Sequence, residues 1–281
     1  MWNRDLDVLV PMWQGADDSR VREGAAALGA LTEPGTRRVT VAVPSGGSER
    51  QDGVRHRAAL VEAYRAHREV LAEHRPQRLL TLGGDCAVEV ASVAHLAGRY
   101  AERLFVLWID AHGDLNTPAS SPSGAAHGMP LRLLLDADAD GALPAPGCLT
   151  PDRVALVGVR DLDPAEVEYV HQHDLTVVDC ATLGAQPTRL AEVPPPGAAV
   201  YVHLDLDVLD PSALPAVAVP TPGGLTAAAL AWSLTAVRAH HQVVGVGITE
   251  YVPQLEHDQR VLGDVLDALG LVGERQTVRR P

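Results

Sequence analysis

Carboxylates and a histidine crowd two short stretches of this 281-residue chain. One apolar run ends in Asp110-Ala-His-Gly-Asp114, another in Asp205-Leu-Asp207 with Asp210 close behind. Residues two apart on an extended segment face the same side, so Asp110, His112 and Asp114 converge if the strand end stays extended or turns slightly. Like charges at such range cannot all ionise unless cations sit between them. A lone Asp-x-Asp is ordinarily a helix cap or a solvated loop. Two such pairs plus a histidine, all following apolar strands, point instead to a metal centre. Oxygen-rich donors with one or two nitrogens suit Mn²⁺ and similar divalent ions better than thiolate-seeking metals. Carboxylates able to bridge suggest two ions, between which water ionises readily and becomes a nucleophile for planar carbon.

These residues need a scaffold that brings strand ends together. Short β-branched and leucine-rich runs predict strands at Asp7–Met12, Arg38–Val43, Arg78–Leu82, Leu104–Asp110, Val154–Val159, Thr176–Val178, Val200–Asp205 and Val243–Thr249. Several are apolar throughout, as strands buried on both faces are. Helical periodicity appears at Arg55–His74, Ala87–Tyr100, Pro164–His173, Thr226–His240 and Leu255–Leu269. Strands alternating with helices predict one three-layer α/β domain over 1–281, with a mostly parallel eight-stranded sheet and helices on both faces. In such folds ligands bind at the carboxyl edge of the strands, where both acidic motifs fall. No internal repeat or strong linker divides the chain.

Composition narrows the partners. The net charge of −13 argues against nucleic acid and anionic membrane. Three scattered cysteines, Cys86, Cys148 and Cys180, form no CxxC pair and suit a reducing cytoplasm. The N-terminus lacks a signal-peptide pattern, and no stretch reaches transmembrane length, so a cytoplasmic enzyme is expected.

Four segments resemble the arginase–agmatinase (ureohydrolase) family and span most of the chain: Gly83-Gly-Asp-Cys86, Asp110-Ala-His-Gly-Asp114, Leu204-Asp-Leu-Asp-Val-Leu-Asp-Pro211 and Glu250. The resemblance implies a hydrolase of linear amidines with two Mn²⁺ ions. It assigns Asp110, His112, Asp114, Asp205 and Asp207 to metal-ligand positions. His127 matches the histidine that passes protons to the leaving amine, and Glu250 the carboxylate that engages the guanidinium. Asn116 and Ser123 match the loop that binds an α-carboxylate, which agmatine lacks. Asp163, with Glu166 as helper, matches the holder of an α-amino group. Asp163-Pro164 also reads as a helix start, with Asp at the N-cap and Pro at N1. A small amino acid is therefore the expected partner.

Two positions depart from the family pattern. Ala125 stands where the carboxylate loop usually has Asn. Cys86 stands where a histidine normally ligates one metal, and a thiolate is softer and charged. Weaker binding or partial occupancy is expected there. Cys86 fits a specialised hydrolase, an ordinary arginase tolerating an unusual ligand, or a non-catalytic homologue. The first resembles the Nω-hydroxy-L-arginine amidinohydrolases of D-cycloserine biosynthesis, which release L-ornithine and hydroxyurea. An N-hydroxyl group could displace the nucleophile in an ordinary two-metal site, and weakening one metal lets the same compound bind productively. Cys148 and Cys180 read as core or loop thiols, and His171, His173, His240 and His241 as helix-end residues. His203 is expected to pack at its strand, with a place near the site as the alternative offered by its alternation with Asp205. About thirty residues follow Glu250, roughly two helical lengths at most. Monomer and homo-oligomer both stay open.

Overall fold

Eight of the apolar runs become strands in the computed structural model, which describes residues 1–136, 143 and 147–273. They are β1 (Leu6–Val10), β2 (Arg38–Thr40), β3 (Leu79–Gly83), β4 (Leu104–Ile109), β5 (Val154–Val157), β6 (Thr176–Val178), β7 (Ala199–Asp205) and β8 (Gln242–Thr249). They form one sheet in the order β2-β1-β3-β8-β7-β4-β5-β6. Every pairing is parallel, which sharpens the expected "mostly parallel" sheet. The expected span of 1–281 includes 137–142, 144–146 and 274–281, which lie outside the described residues, as does the end of the stretch after Glu250.

Among the described residues, eight α-helices cover the sheet: α1 (Gly24–Leu31), α2 (Arg57–His74), α3 (Glu89–Tyr100), α4 (Pro130–Leu135), α5 (Pro164–Gln172), α6 (Cys180–Ala185), α7 (Ala227–His240) and α8 (Gln259–Ala268). One core joins α2, α3, α4 and Tyr169 of α5 to alternate residues of β4, including Val106 and Trp108. The other joins α7, α8, Leu28 of α1 and Leu183 of α6 to the intervening residues Phe105, Leu107 and Ile109. Burying each such side chain contributes about 1.5–3 kcal/mol. A one-residue slip of β4 would exchange its two faces and turn Asp110 into the wrong layer.

The elements differ from expectation mainly at their ends. β2 stops at Thr40 rather than Val43, although Val41 N–H still reaches Leu9 O at 2.8 Å. α8 starts at Gln259 rather than Leu255, because Asp258 is its N-cap and accepts from Arg260 N–H. Thr226 caps α7 in the same way through Ala229 N–H, so that helix starts one residue late. The short helices α1, α4 and α6 lie outside the expected set.

Two glycines of β8 shape the sheet's interior. Gly245 pairs with Tyr201 and Gly247 with His203 on β7, after a register shift between Val200 and Tyr201. A Cβ on Gly245 would lie 2.2 Å from the Tyr201 ring, and one on Gly247 2.0 Å from the Glu89 carboxylate. The bare face of β8 thus makes room for a polar row on its neighbour. Among the described residues, no helix is long and apolar enough to cross a membrane.

Candidate metal centre and substrate pocket

The four central strands β3, β8, β7 and β4 deliver the candidate residues to one edge. β4 runs into Asp110, His112 and Asp114; β7 ends at Asp205 and turns to Asp207; β3 leads to Cys86; and β8 leads to Glu250. Backbone amides tie the turns down. Asp110 Oδ1 accepts from His112 N–H at 2.7 Å, Asp205 Oδ1 from Asp207 N–H at 2.8 Å, and Asp207 Oδ1 from Ala111 N–H at 3.1 Å. Asp114 and Glu250 both adopt left-handed backbone, with φ of 54° and 63°. Non-glycine residues in such conformations persist where surrounding structure holds them, commonly at functional sites.

Three overlapping groups of donors result. Asp110, His112 and Asp207 form one, with His112 Nδ1 3.0 Å from Asp207 Oδ2 and 3.4 Å from Asp110 Oδ1. Cys86, Asp205 and Glu250 form the second, with the Cys86 thiol donating to Asp205 Oδ2 at 3.0 Å. Cys86, Asp110, Asp114 and His203 form the third. Asp110 belongs to two groups and Cys86 to two, so the sets share members as a two-ion site would. All five metal-ligand carboxylates and nitrogens expected from the sequence meet here. Cys86 joins them, 2% exposed.

The electrostatics ask for cations. Burial and then the Asp110 charge push the Asp114 carboxyl well above the usual range, and burial with Asp207 does the same to Asp205. Asp207 is raised to about 6 by burial and Asp110, against the pull of His112. Burial pushes the Cys86 thiol up, with Asp205 and Asp114 adding to it. Burial opposes charge on His112, yet Asp110 and Asp207 outweigh it and raise its pKa. Asp110 Oδ2, Asp114 Oδ2 and Glu250 Oε2 are buried without a hydrogen-bond partner. Orphaned carboxylate oxygens aimed into one small volume fit divalent ions.

The pocket above this centre is lined by Cys86, His112, Asp114, Asp205, Asp207 and Glu250 at its charged end. His127 Nδ1 sits 3.1 Å from Glu250 Oε1, and that oxygen also accepts from Cys86 N–H at 3.1 Å. Burial works against the charged imidazole of His127, but Glu250 outweighs it and raises its pKa. Asn116, Ser123, Asp163 and Glu166 also line the pocket. Asn116 Nδ2 donates to Asp163 Oδ2 at 2.8 Å, so the two expected recognition residues are joined. Ser123 Oγ accepts from Ala125 N–H at 3.1 Å. Glu166 commits both oxygens to backbone, accepting from Leu115 N–H and Asp163 N–H, each at 2.8 Å. That arrangement starts α5 and fixes the Asn116 loop.

Some residues were not read from the sequence. Asp85 accepts from Gly15 N–H at 2.8 Å, and Gly15 O accepts from His127 N–H at 3.1 Å, so Asp85 anchors the histidine's loop. Glu89, unexposed at the start of α3, lies 3.5 Å from His203 Nδ1. The signal for it was a lone carboxylate in the apolar run Ala87-Val-Glu-Val-Ala91. His203 itself takes the site-side alternative.

Residues 19–265 match the Arginase family. The chain is 31% identical over 232 residues to an arginase of Staphylococcus aureus, covering 78% of this chain and 76% of that one. It superposes on the native structure of an arginase from Bacillus caldovelox with a TM-score of 0.83 and 27% identity, over 97% of this chain and 99% of the other. A further structural match, TM-score 0.81 at 21% identity over 94% and 96% of the two chains, is the Entamoeba histolytica arginase in complex with L-ornithine.

Proposed function

The chain belongs to the arginase family of hydrolases, which act on C–N amidino bonds with two manganese ions, and from that premise we propose that it cleaves Nω-hydroxy-L-arginine to L-ornithine and hydroxyurea. The observation that carries this reading is Cys86 at the junction of two donor groups. Its thiol points at Asp205 where an imidazole is the family's donor, so one metal position is chemically altered while the other, Asp110–His112–Asp207, keeps its nitrogen. A softened position suits a substrate whose N-hydroxyl would otherwise clamp the metal pair.

In this reading Asp110, His112, Asp114, Asp205, Asp207 and Cys86 hold Mn²⁺. When bound, the ions supply Lewis acidity and the means to ionise water at neutral pH. Glu250 receives the guanidine end, and its contact with His127 keeps that imidazole ready to hand a proton to the leaving nitrogen. Asn116, Ser123 and Asp163 hold the amino-acid end, and Glu166 holds Asp163 in place. Binding at that remote end positions the carbon under attack. We take 1–281 as one catalytic domain, and the three free cysteines suit a cytoplasmic location.

Ordinary arginase activity is the second reading, favoured by the S. aureus relative. Arginine and Nω-hydroxyarginine assayed on the same preparations, chelated and then restored with Mn²⁺, decide between them. We expect activity only after manganese returns, and kcat/KM at least tenfold higher for hydroxyarginine, which needs about 1.4 kcal/mol of differential stabilisation. A preference for arginine would move the second reading ahead. Full turnover without metal would overturn the metal assignment, and none under any condition would leave a binding homologue.

A further inference from the structure

The third donor group contains a nitrogen that the sequence motifs do not supply. His203 lies in the middle of β7, two residues inward of Asp205 on the same strand face. Its Nε2 is 3.5 Å from Asp110 Oδ2 and 3.8 Å from Cys86 Sγ. Cys86, Asp110, Asp114 and His203 each offer an atom within 4.8 Å of the others. We propose that His203 is the nitrogen ligand of the metal position beside Cys86, and that Glu89 is the buried carboxylate orienting its ring.

Four features support this placement. The ring is clamped against Trp108, its neighbour on β4, with centroids 3.7 Å apart and planes 28° from parallel. That fixes the direction of Nε2 towards the thiol and the two carboxylates. On the other side Gly247 leaves the space that Glu89 fills. Glu89 Oε2 accepts from the Tyr201 hydroxyl at 2.6 Å and lies 3.5 Å from His203 Nδ1. A carboxylate behind the far nitrogen of an imidazole is the usual means of fixing the tautomer and orientation of a metal-ligating histidine.

A packing role explains less. A core histidine ordinarily has both nitrogens hydrogen-bonded, yet His203 Nδ1 and Glu89 Oε1 are buried without aligned partners, as are Asp110 Oδ2 and Asp114 Oδ2. Burying a carboxylate beside a merely structural imidazole is costly, and the bond from the Tyr201 hydroxyl still leaves Glu89 Oε1 without a partner. An ion drawing on Nε2, Sγ and the two carboxylates gives every member of the row a function. The chain then has not lost a nitrogen donor at the altered position; the donor comes from the strand instead of the loop after β3.

This also changes what restoring a histidine at Cys86 would do. The Cys86 sulfur already sits 3.0 Å from Asp205 Oδ2 and 3.1 Å from Thr249 Oγ1, with His203 just beyond. A second imidazole would collide with the first. A conventional arrangement requires the paired change Cys86→His with His203→Ala.

The inference rests on the two-metal reading above, and the experiment separates the two. Manganese content, Mn²⁺ affinity and the electron paramagnetic resonance spectrum are measured on the full chain after chelation and add-back. Wild type should bind two ions with a coupled-pair spectrum. His203→Ala and His203→Gln should keep one ion and show an isolated-Mn²⁺ spectrum. Glu89→Gln should weaken the second ion about 10- to 100-fold, and the paired Cys86→His/His203→Ala change should regain it. Wild type that binds no manganese would overturn both readings. Wild type with two ions beside a folded His203→Gln of unchanged affinity would overturn this one alone. Should the His203 variants fail to fold, anomalous scattering from crystals of the manganese-loaded wild type decides: an ion bonded to His203 Nε2 supports the assignment, and an ion with that nitrogen outside its shell overturns it.

Discussion

Asp163 and Asn116 show how a recognition residue can be both structural and functional. Asp163 sits at the N-cap of α5, as Asp-Pro predicts, while its Oδ2 accepts from Asn116 in the pocket wall. Removing a charged hydrogen-bond partner for an α-amino group typically loses about 1.5–3 kcal/mol. Asp163→Ala should therefore lower kcat/KM about 10- to 100-fold for an α-amino-acid substrate and far less for agmatine. Equal losses on the two compounds would argue against an amino-acid pocket. At this scale the sequence was informative wherever residues stand in consecutive motifs at strand ends. Asp110 and Asp205 were legible because apolar strands run straight into them, and His112, Asp114 and Asp207 because they complete motifs that resemble the family's. The turns that aim these three, with left-handed backbone at Asp114, were not. His203 was not, because whether a buried imidazole faces a site or a core depends on the neighbouring strands, here Trp108 on one side and Gly247 on the other. Glu89 was hidden for the same reason: its partners, Tyr201 and His203, lie 112 and 114 positions away in the chain.

The elements were readable in proportion to their periodicity. Continuous apolar runs found all eight strands, and long amphipathic stretches found α2, α3, α5, α7 and α8. Gly24–Leu31 escaped because Gly-Ala-Ala-Ala-Leu-Gly-Ala-Leu has no polar face to mark a period, and Pro130–Leu135 and Cys180–Ala185 are too short to show one. Their helicity comes from packing rather than from pattern. The pairing of β7 with β8 carries a prediction of its own. Gly247→Ala places a methyl group 2.0 Å from Glu89 Oε1, so either the strand or the carboxylate must move. Overpacking of this kind costs about 1–3 kcal/mol. The variant should melt earlier and bind less of the second manganese ion while the first is kept. Loss of stability with metal content untouched would mean that Glu89 does not govern the centre.

For the whole molecule, pH sensitivity includes a contribution remote from the candidate metal centre. His67 of α2 is fully buried, and burial, with His95 adding to it, lowers its pKa to about 3. Its Nε2 meets Ser92 Oγ at 3.4 Å, and Ser92 Oγ meets Thr81 Oγ1 at 2.7 Å. Between about pH 3 and the ordinary value of 6.5 the unfolded chain takes up a proton that the folded one refuses. Stability from this group is complete above that window and falls as pH drops through it, by about 1.4 kcal/mol per unit. Denaturant titrations of wild type and His67→Gln between pH 4 and 7 should differ by that slope, and parallel curves would rule it out. A last consequence follows from the alternation of β7. Tyr201, His203 and Asp205 share the face towards α3, whereas Val202 and Leu204 face α7 and α8. Stripping the ions should therefore be felt lopsidedly. The bare charges would press on α3, where Glu89 begins the helix, and leave the opposite wall insulated by aliphatic packing. Amide hydrogen exchange followed peptide by peptide should quicken over 86–100 on chelation while 227–240 keeps its protection. The protein would loosen on one flank only, with its sheet acting as the partition.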